Sequence, residues 1–165
     1  MYFTRRFTLL GGLAALLSGC ASKFRSYNGP EVTQVAVYKN DRRMYLFHRG
    51  SPIRAYDIDL GFAPTGDKKI SGDGKTPEGD YIIDRRNPDS RFHLSIGIDY
   101  PNEQDIAEAK ALGEDPGGDI FIHGLGTLIS RRKPDWTWGC ISVTNDEIEE
   151  IYAMVNDGTP ISIYR

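Results

Sequence analysis

Cysteine is scarce in this chain, with Cys20 and Cys140 the only two in 165 residues. Clustered metal ligands are absent too: one or two thiols and the scattered histidines His48, His93 and His123 lack the spacing of a zinc site, so no metal is expected. Cationic excess is missing as well, since 20 Lys and Arg face 23 Asp and Glu for a formal charge of −3. Removing the first nineteen residues, with Arg5 and Arg6, takes that charge to −5, and a nucleic-acid partner is disfavoured because phosphate binding needs concentrated Lys and Arg. No low-complexity tract occurs, because Gly 18 and Pro 9 are spread over many short runs. What remains is 39% hydrophobic and 26% charged, a folded composition at a length that fits one domain.

Long hydrophobic runs are also lacking: the apolar stretch from Phe7 to Leu17 is too short to span a bilayer as a stable helix. Preceded by Arg5 and Arg6, it reads as a secretory signal over residues 1–19. It ends in Leu17-Ser18-Gly19-Cys20, which resembles the bacterial lipobox, where cleavage precedes a cysteine whose thiol is lipidated. That resemblance implies membrane contact through Cys20, and the absence of Asp at Ala21 and Ser22 implies the periplasmic face of the outer membrane. Residues 20–31, rich in Ser, Asn, Gly and Pro from Ala21 to Pro30, then read as a tether reaching at most ~35 Å. With Cys20 lipidated, Cys140 is the only thiol left in an oxidising compartment and has no partner for a disulfide.

From residue 32 onward the first half is β-rich. Strands are expected over 32–38, in "RRMYLFHRG" after the turn Lys39-Asn40-Asp41, over 51–61 with Ile58 and Leu60 on one face, around Tyr81-Ile82-Ile83, and over 91–100. Asn102 as cap and Gly113 as stop frame a short helix, and Ile120-Phe121-Ile122 form a brief strand delivering His123 at its end. Thr144 and Glu147 make a capping box before Ile148, Ile151, Tyr152 and Val155 at helical spacing, and Gly158 and Pro160 end that helix before a closing strand, "TPISIYR".

A cysteine attacks a carbonyl only as thiolate, and at its ordinary pKa near 8.5 only about 3% is ionised at pH 7. The helix expected from Asn145 starts five residues past Cys140, so its dipole acts weakly there. His123, in a Gly-flanked turn seventeen residues earlier, is the candidate base, whereas His48 and His93 lie in expected strands and read as structural. Gly139 permits a tight turn, so the N–H groups of Gly139 and Cys140 could meet a developing oxyanion. Spacing and chemistry alone leave two readings open: a thiol acyl transferase or hydrolase, or a buried structural Cys and His.

His123-Gly124 followed by Thr137-Trp138-Gly139-Cys140 resembles the active-site signature of the YkuD-type L,D-transpeptidases. "GDGKTPEGDY" at 72–81, "YPNEQD", "GGDIFIHG" and "DGTPISIY" are similar to other parts of that family, so the likeness covers residues 32–165. It implies a β-rich α+β fold, an L,D-transpeptidase-like β-sandwich with a short mid-chain helix and a C-terminal amphipathic helix before a closing strand. It also implies ping-pong acyl transfer on peptidoglycan stem peptides, without a cofactor. In that reading Cys140 attacks the carbonyl of the third stem residue and releases the terminal D-alanine, His123 is the base, and the carbonyl of Gly124 orients it. The amides of Gly139 and Cys140 hold the oxyanion, and an amine from a second stem or a wall-linked lipoprotein resolves the thioester.

Two positions depart from the family pattern: Trp138 stands where a histidine is usual, and Ser142 where an arginine is common. Arg131, Arg132 and Lys133 offer guanidinium and ammonium groups for stem carboxylates, or form a solvated loop. Trp136 and Trp138 wall a substrate groove, or at least one packs in the core. Thr76 to Gly79 shape the fold, and Asp57, Asp59 and Asp73 take no role. The alternatives are a hydrolase of the same chemistry, acting as carboxypeptidase or releasing wall-bound lipoprotein, and a catalytically silent lipoprotein that binds peptidoglycan. Sortases carry a different signature, with a Thr-x-x-Cys ending, that "TWGC" matches poorly.

Overall fold

The computed structural model describes residues 22–127 and 133–165, so the leader, Cys20, Arg131 and Arg132 lie outside the described residues. The first strands, β1 (Gln34–Tyr38), buried at Val35–Val37, β2 (Arg43–His48), buried at alternate residues Met44 and Leu46, and the more exposed β3 (Ser51–Asp57), form an antiparallel meander. β4 (Gly79–Asn87) and β5 (Ser95–Ile98) follow, then α1 (Glu103–Ala111), β6 (Phe121–His123), β7 (Ile141–Ser142), α2 (Asn145–Met154) and β8 (Pro160–Tyr164). The described strands run in the spatial order β3-β2-β1-β8-β4-β5-β6-β7.

This sheet curls because β4 belongs to two neighbourhoods. Its first half, Gly79–Ile82, pairs with β8, and beyond Ile83 it pairs with β5 after a register shift between Ile83 and Arg85. Such a bulge bends a strand and sharpens its twist. The far ends then meet: Asp59 and Ser142 exchange backbone hydrogen bonds of 2.9 and 2.8 Å, and Phe62 N–H donates to Thr137 O at 2.9 Å. Segment 58–62, beyond β3, thereby covers the outer side of β7 and satisfies an edge that would otherwise stay open. Val35, Val37, Met44, Leu46, Ile96, Ile122, Ile141 and Ile161 point into the resulting core, and Ile148, Ile151 and Met154 of α2 seal it. Each fully buried side chain of this kind contributes roughly 1.5–3 kcal/mol of transfer free energy.

Both helices start as the sequence dictates. Asn102 Oδ1 accepts from the N–H groups of Gln104 and Asp105 while Asp105 reaches back to the Asn102 N–H, and Thr144 with Glu147 makes the same reciprocal cap on α2. Two expectations need correction. The third strand ends at Asp57, although Ile58 and Leu60 beyond it are buried as expected. His93 is not in a strand: it sits in a turn at φ +79°, and its Nε2 meets Glu149 Oε1 at 2.7 Å. Ahead of β1, residues 23–25 pack on the domain: Arg25 pairs with Glu149 at 2.9 Å, the Phe24 ring lies 6.2 Å from the Tyr152 ring, and Lys23 Nζ donates to Pro88 O at 2.5 Å.

Candidate active site

Strand pairing decides where the thiol and imidazole meet. β6 ends at His123 and runs parallel to β7, with Ile122 opposite Ile141 and His123 opposite Ser142. Cys140, immediately before β7, is thereby set beside the strand that carries His123, and both side chains line one cavity of about 410 Å³. A seventeen-residue separation in sequence becomes a shared wall.

The imidazole is held from several sides. His123 is buried, and its Nδ1–H donates to Gly124 O at 2.6 Å. A carbonyl can only accept, so the neutral ring carries its proton on Nδ1 and its lone pair on Nε2, the form a general base needs. Phe92 stacks on the ring at 4.4 Å and 26°, and Trp136 meets it edge-on at 5.7 Å and 78°. Trp136 thus packs against the base, with its indole N–H buried and unpartnered among the described residues.

The thiol is crowded but open on its cavity side. Burial pushes its pKa above the ordinary cysteine value. The Phe121 N–H, and at longer range Lys68 and Arg85, pull the other way, while Asp119 adds to the rise. Its S–H donates to Asp119 O at 3.5 Å. Burial thus favours the neutral thiol over the thiolate.

Gly139 shows why glycine is required next to Cys140. Its φ is +127°, and an added Cβ would sit 2.6 Å from Lys75 O. Below it, a Cβ on Gly61 would lie 2.1 Å from Gly74 O and 3.0 Å from Gly139 Cα, so three stretches of backbone meet under the nucleophile. The Gly139 N–H, however, donates to Thr137 Oγ1 at 3.1 Å, and that hydroxyl donates to Cys140 O at 2.7 Å. In this structure the Gly139 N–H is therefore committed to that hydroxyl, while its positive φ is what the position demands of glycine.

The other expected residues fall as follows. Trp138 is 72% exposed and packs edge-on against Phe62 at 4.9 Å, beside the site but not among the residues lining the cavity. Ser142 is fully buried in the β6–β7 ladder, with its hydroxyl unpartnered among the described residues, and is not among the residues lining the cavity. Thr76 accepts from the Gly61 N–H at 3.2 Å, and its carbonyl accepts from the buried Lys39 ammonium at 2.7 Å, a fold-shaping role. Asp73 likewise organises its loop, accepting from the N–H groups of Lys69, Ile70 and Lys75 and from Lys68 Nζ. Sequence reasoning missed Asn87, Ser90, Arg91, Phe92, Ser95, Asp119 and Phe121, which complete the cavity wall. They come from the β4–β5 connection and the approach to β6, where no local pattern marks them.

A curled β sheet flanked by two helices, with a histidine at one strand end and a cysteine at the start of its parallel neighbour, defines a domain of the L,D-transpeptidase type. The profile of the YkuD family, described as the L,D-transpeptidase catalytic domain, matches residues 33–163. Escherichia coli K12 YafK, which carries an L,D-transpeptidase name by provisional assignment, is 31% identical over 127 residues, covering 73% of this chain and 46% of that protein. The helical cell shape determining protein Pgp2 of Campylobacter jejuni is 29% identical with a TM-score of 0.62, over 83% of this chain and 49% of Pgp2. Bd1075 of Bdellovibrio bacteriovorus is 27% identical with a TM-score of 0.61, over 81% of this chain and 48% of Bd1075. The chain belongs to the YkuD family of L,D-transpeptidase catalytic domains. It spans about half the length of these relatives.

Proposed function

We propose that this protein is a peptidoglycan L,D-transpeptidase with Cys140 as nucleophile and His123 as general base. The observation that carries the reading is the single cavity lined by Cys140 and by an imidazole whose Nδ1 proton is committed to Gly124 O. His123 Nε2 takes the thiol proton as sulfur attacks the carbonyl of the third stem residue, and the Cys140 N–H faces the resulting oxyanion. Collapse breaks the peptide bond, the departing amine of the terminal D-alanine takes the proton from the imidazolium, and a thioester remains on Cys140. An acceptor amine then gives a proton to His123 and attacks the thioester, and sulfur leaves and is reprotonated.

The acceptor is the amine of a second stem or of a wall-linked lipoprotein; with water instead, the same steps make a hydrolase. Trp138 leaves the nucleophilic step intact because no part of it depends on a second imidazole. Arg131 and Arg132 are assigned to stem carboxylates, with Trp136 and Trp138 framing the groove. Cys20 is assigned as the lipidated residue after a leader of residues 1–19, placing the domain at the periplasmic face of the outer membrane. The test is mass spectrometry of the full chain incubated with disaccharide-tetrapeptide, alongside Cys140→Ala. An adduct on Cys140 with loss of D-alanine supports the reading, and the ratio of cross-linked dimer to tripeptide separates amine from water. No adduct and no product from the folded protein would overturn it in favour of a silent peptidoglycan-binding lipoprotein.

A further inference from the structure

The cavity shared by Cys140 and His123 contains one cationic side chain among the described residues, and sequence analysis did not single it out. Arg91 lies on the β4–β5 connection and is solvent-exposed. Among the described residues no hydrogen bond or ion pair reaches its guanidinium, whereas Arg25, Arg42, Arg43, Arg54 and Arg85 each pair with a carboxylate. A guanidinium left unpaired on a cavity wall is a ready receptor for a planar anion.

Its position is fixed by its neighbours. Phe92, the next residue, stacks on His123 at 4.4 Å, which puts the Arg91 Cα one peptide, about 3.8 Å, from a residue touching the base. The connection is tied at both ends, because Lys23 Nζ donates to Pro88 O at 2.5 Å and to His93 O at 3.3 Å. His93 Nε2 in turn meets Glu149 at 2.7 Å, and Glu149 pairs with Arg25 at 2.9 Å. On the opposite flank, Gly126 packs so closely that a Cβ there would lie 2.3 Å from Arg91 O. The backbone carrying Arg91 is thus held while its side chain is uncommitted, with the amide of Asn87 and the hydroxyls of Ser90 and Ser95 on the same wall.

We propose that Arg91 is a specificity-determining residue that binds a carboxylate of the donor stem peptide and so selects which peptide acylates Cys140. This rests on the transpeptidase reading above. The carboxylate has two sources in a stem, the C-terminus of the departing residue and the side-chain terminus of a diamino dicarboxylic acid as third residue. Asp119, the one carboxylate among the described residues lining the cavity, lies 3.7 Å from Arg85 and leaves Arg91 to the ligand.

The test measures the rate of Cys140 acylation by mass spectrometry, using the full chain and three peptides: the free tetrapeptide, its C-terminal amide, and an analogue with lysine as the third residue. Wild type is expected to favour the free acid over one of the two carboxylate-deficient peptides by about 10- to 100-fold in kcat/KM, the range of one charge-assisted hydrogen-bonded pair. The peptide that loses the advantage identifies which carboxylate Arg91 binds. Arg91→Ala should abolish that preference by raising KM and leave acylation by the deficient peptide unchanged, and Arg91→Lys should restore part of it. Alkylation of Cys140 by iodoacetamide should be equal in all variants, which guards against a folding defect. Equal losses with Arg91→Ala on every peptide, or no preference in wild type, would overturn the carboxylate role and leave the transpeptidase reading standing. Failure of wild type to be acylated by any peptide would overturn both.

Discussion

Replacing Gly139 with alanine tests whether close backbone packing beneath Cys140 sets the geometry of the nucleophile. Two costs add. At φ +127° an L side chain is strained, by about 1–3 kcal/mol for a conformation of this kind. The new Cβ also meets Lys75 O at 2.6 Å and Ile120 Cδ1 at 3.2 Å, and because a backbone carbonyl cannot rotate away, overpacking adds roughly 1–3 kcal/mol. A total of about 2–6 kcal/mol is a large part of the ~5–15 kcal/mol that holds a typical domain together. Gly158→Ala separates the two costs: its φ of +88° imposes strain, but nothing lies within 4 Å of the added Cβ, so about 1–2 kcal/mol is expected. Urea unfolding of the full chain, followed by the fluorescence of Trp136 and Trp138, gives both values. Gly139→Ala should lose at least about 1 kcal/mol more than Gly158→Ala and, in the folded protein, show an altered rate of Cys140 alkylation. If the two variants lose equal stability and the alkylation rate is unchanged, the reasoning from Lys75 O fails.

Alkylation of Cys140 as a function of pH should keep rising past the ordinary cysteine value of about 8.5, because burial favours the neutral thiol over the thiolate. A profile levelling off below that value would show a standing thiolate and contradict the on-demand deprotonation. Phe92→Ala removes the ring stacked on His123 and should slow acylation by about 2- to 10-fold, the rate equivalent of one aromatic pair, with Phe92→Leu intermediate. Unchanged kinetics in both would mean the stack does not position the base. Thr144→Ala breaks the cap on α2 and should cost about 1 kcal/mol in urea unfolding while acylation stays within about twofold. Activity lost with stability intact would assign Thr144 a role at the site instead.

The elements legible in the sequence are those whose cause is local. Thr144 and Glu147 announce α2, Asn102 and Gly113 frame α1, and alternation marks β1 and β2, because each signal is read within one turn or one pleat. The resemblance brought His123 and Cys140 together more firmly than local pattern did, since their shared cavity depends on β6 and β7 running parallel and β7 has just two residues. What stayed hidden is set by distant chain. The turn at His93 answers to Glu149 on α2, and the docking of residues 23–25 answers to the same helix and to Pro88. The direction of the Cys140 shift follows from burial by surrounding strands, which no window around residue 140 contains. The hydrogen bond of the Gly139 N–H stayed hidden for the opposite reason: its acceptor, Thr137 Oγ1, lies only two residues away, but nothing in the sequence orients that hydroxyl.

The central claim, that Cys140 forms an acyl-enzyme, is tested most directly by the intact mass of the full chain after incubation with disaccharide-tetrapeptide. The account predicts a mass increase equal to the disaccharide-tripeptide acyl group, located on Cys140, accompanied by free D-alanine and absent from Cys140→Ala. An unmodified mass with no D-alanine released, or an adduct that persists in Cys140→Ala, would contradict it.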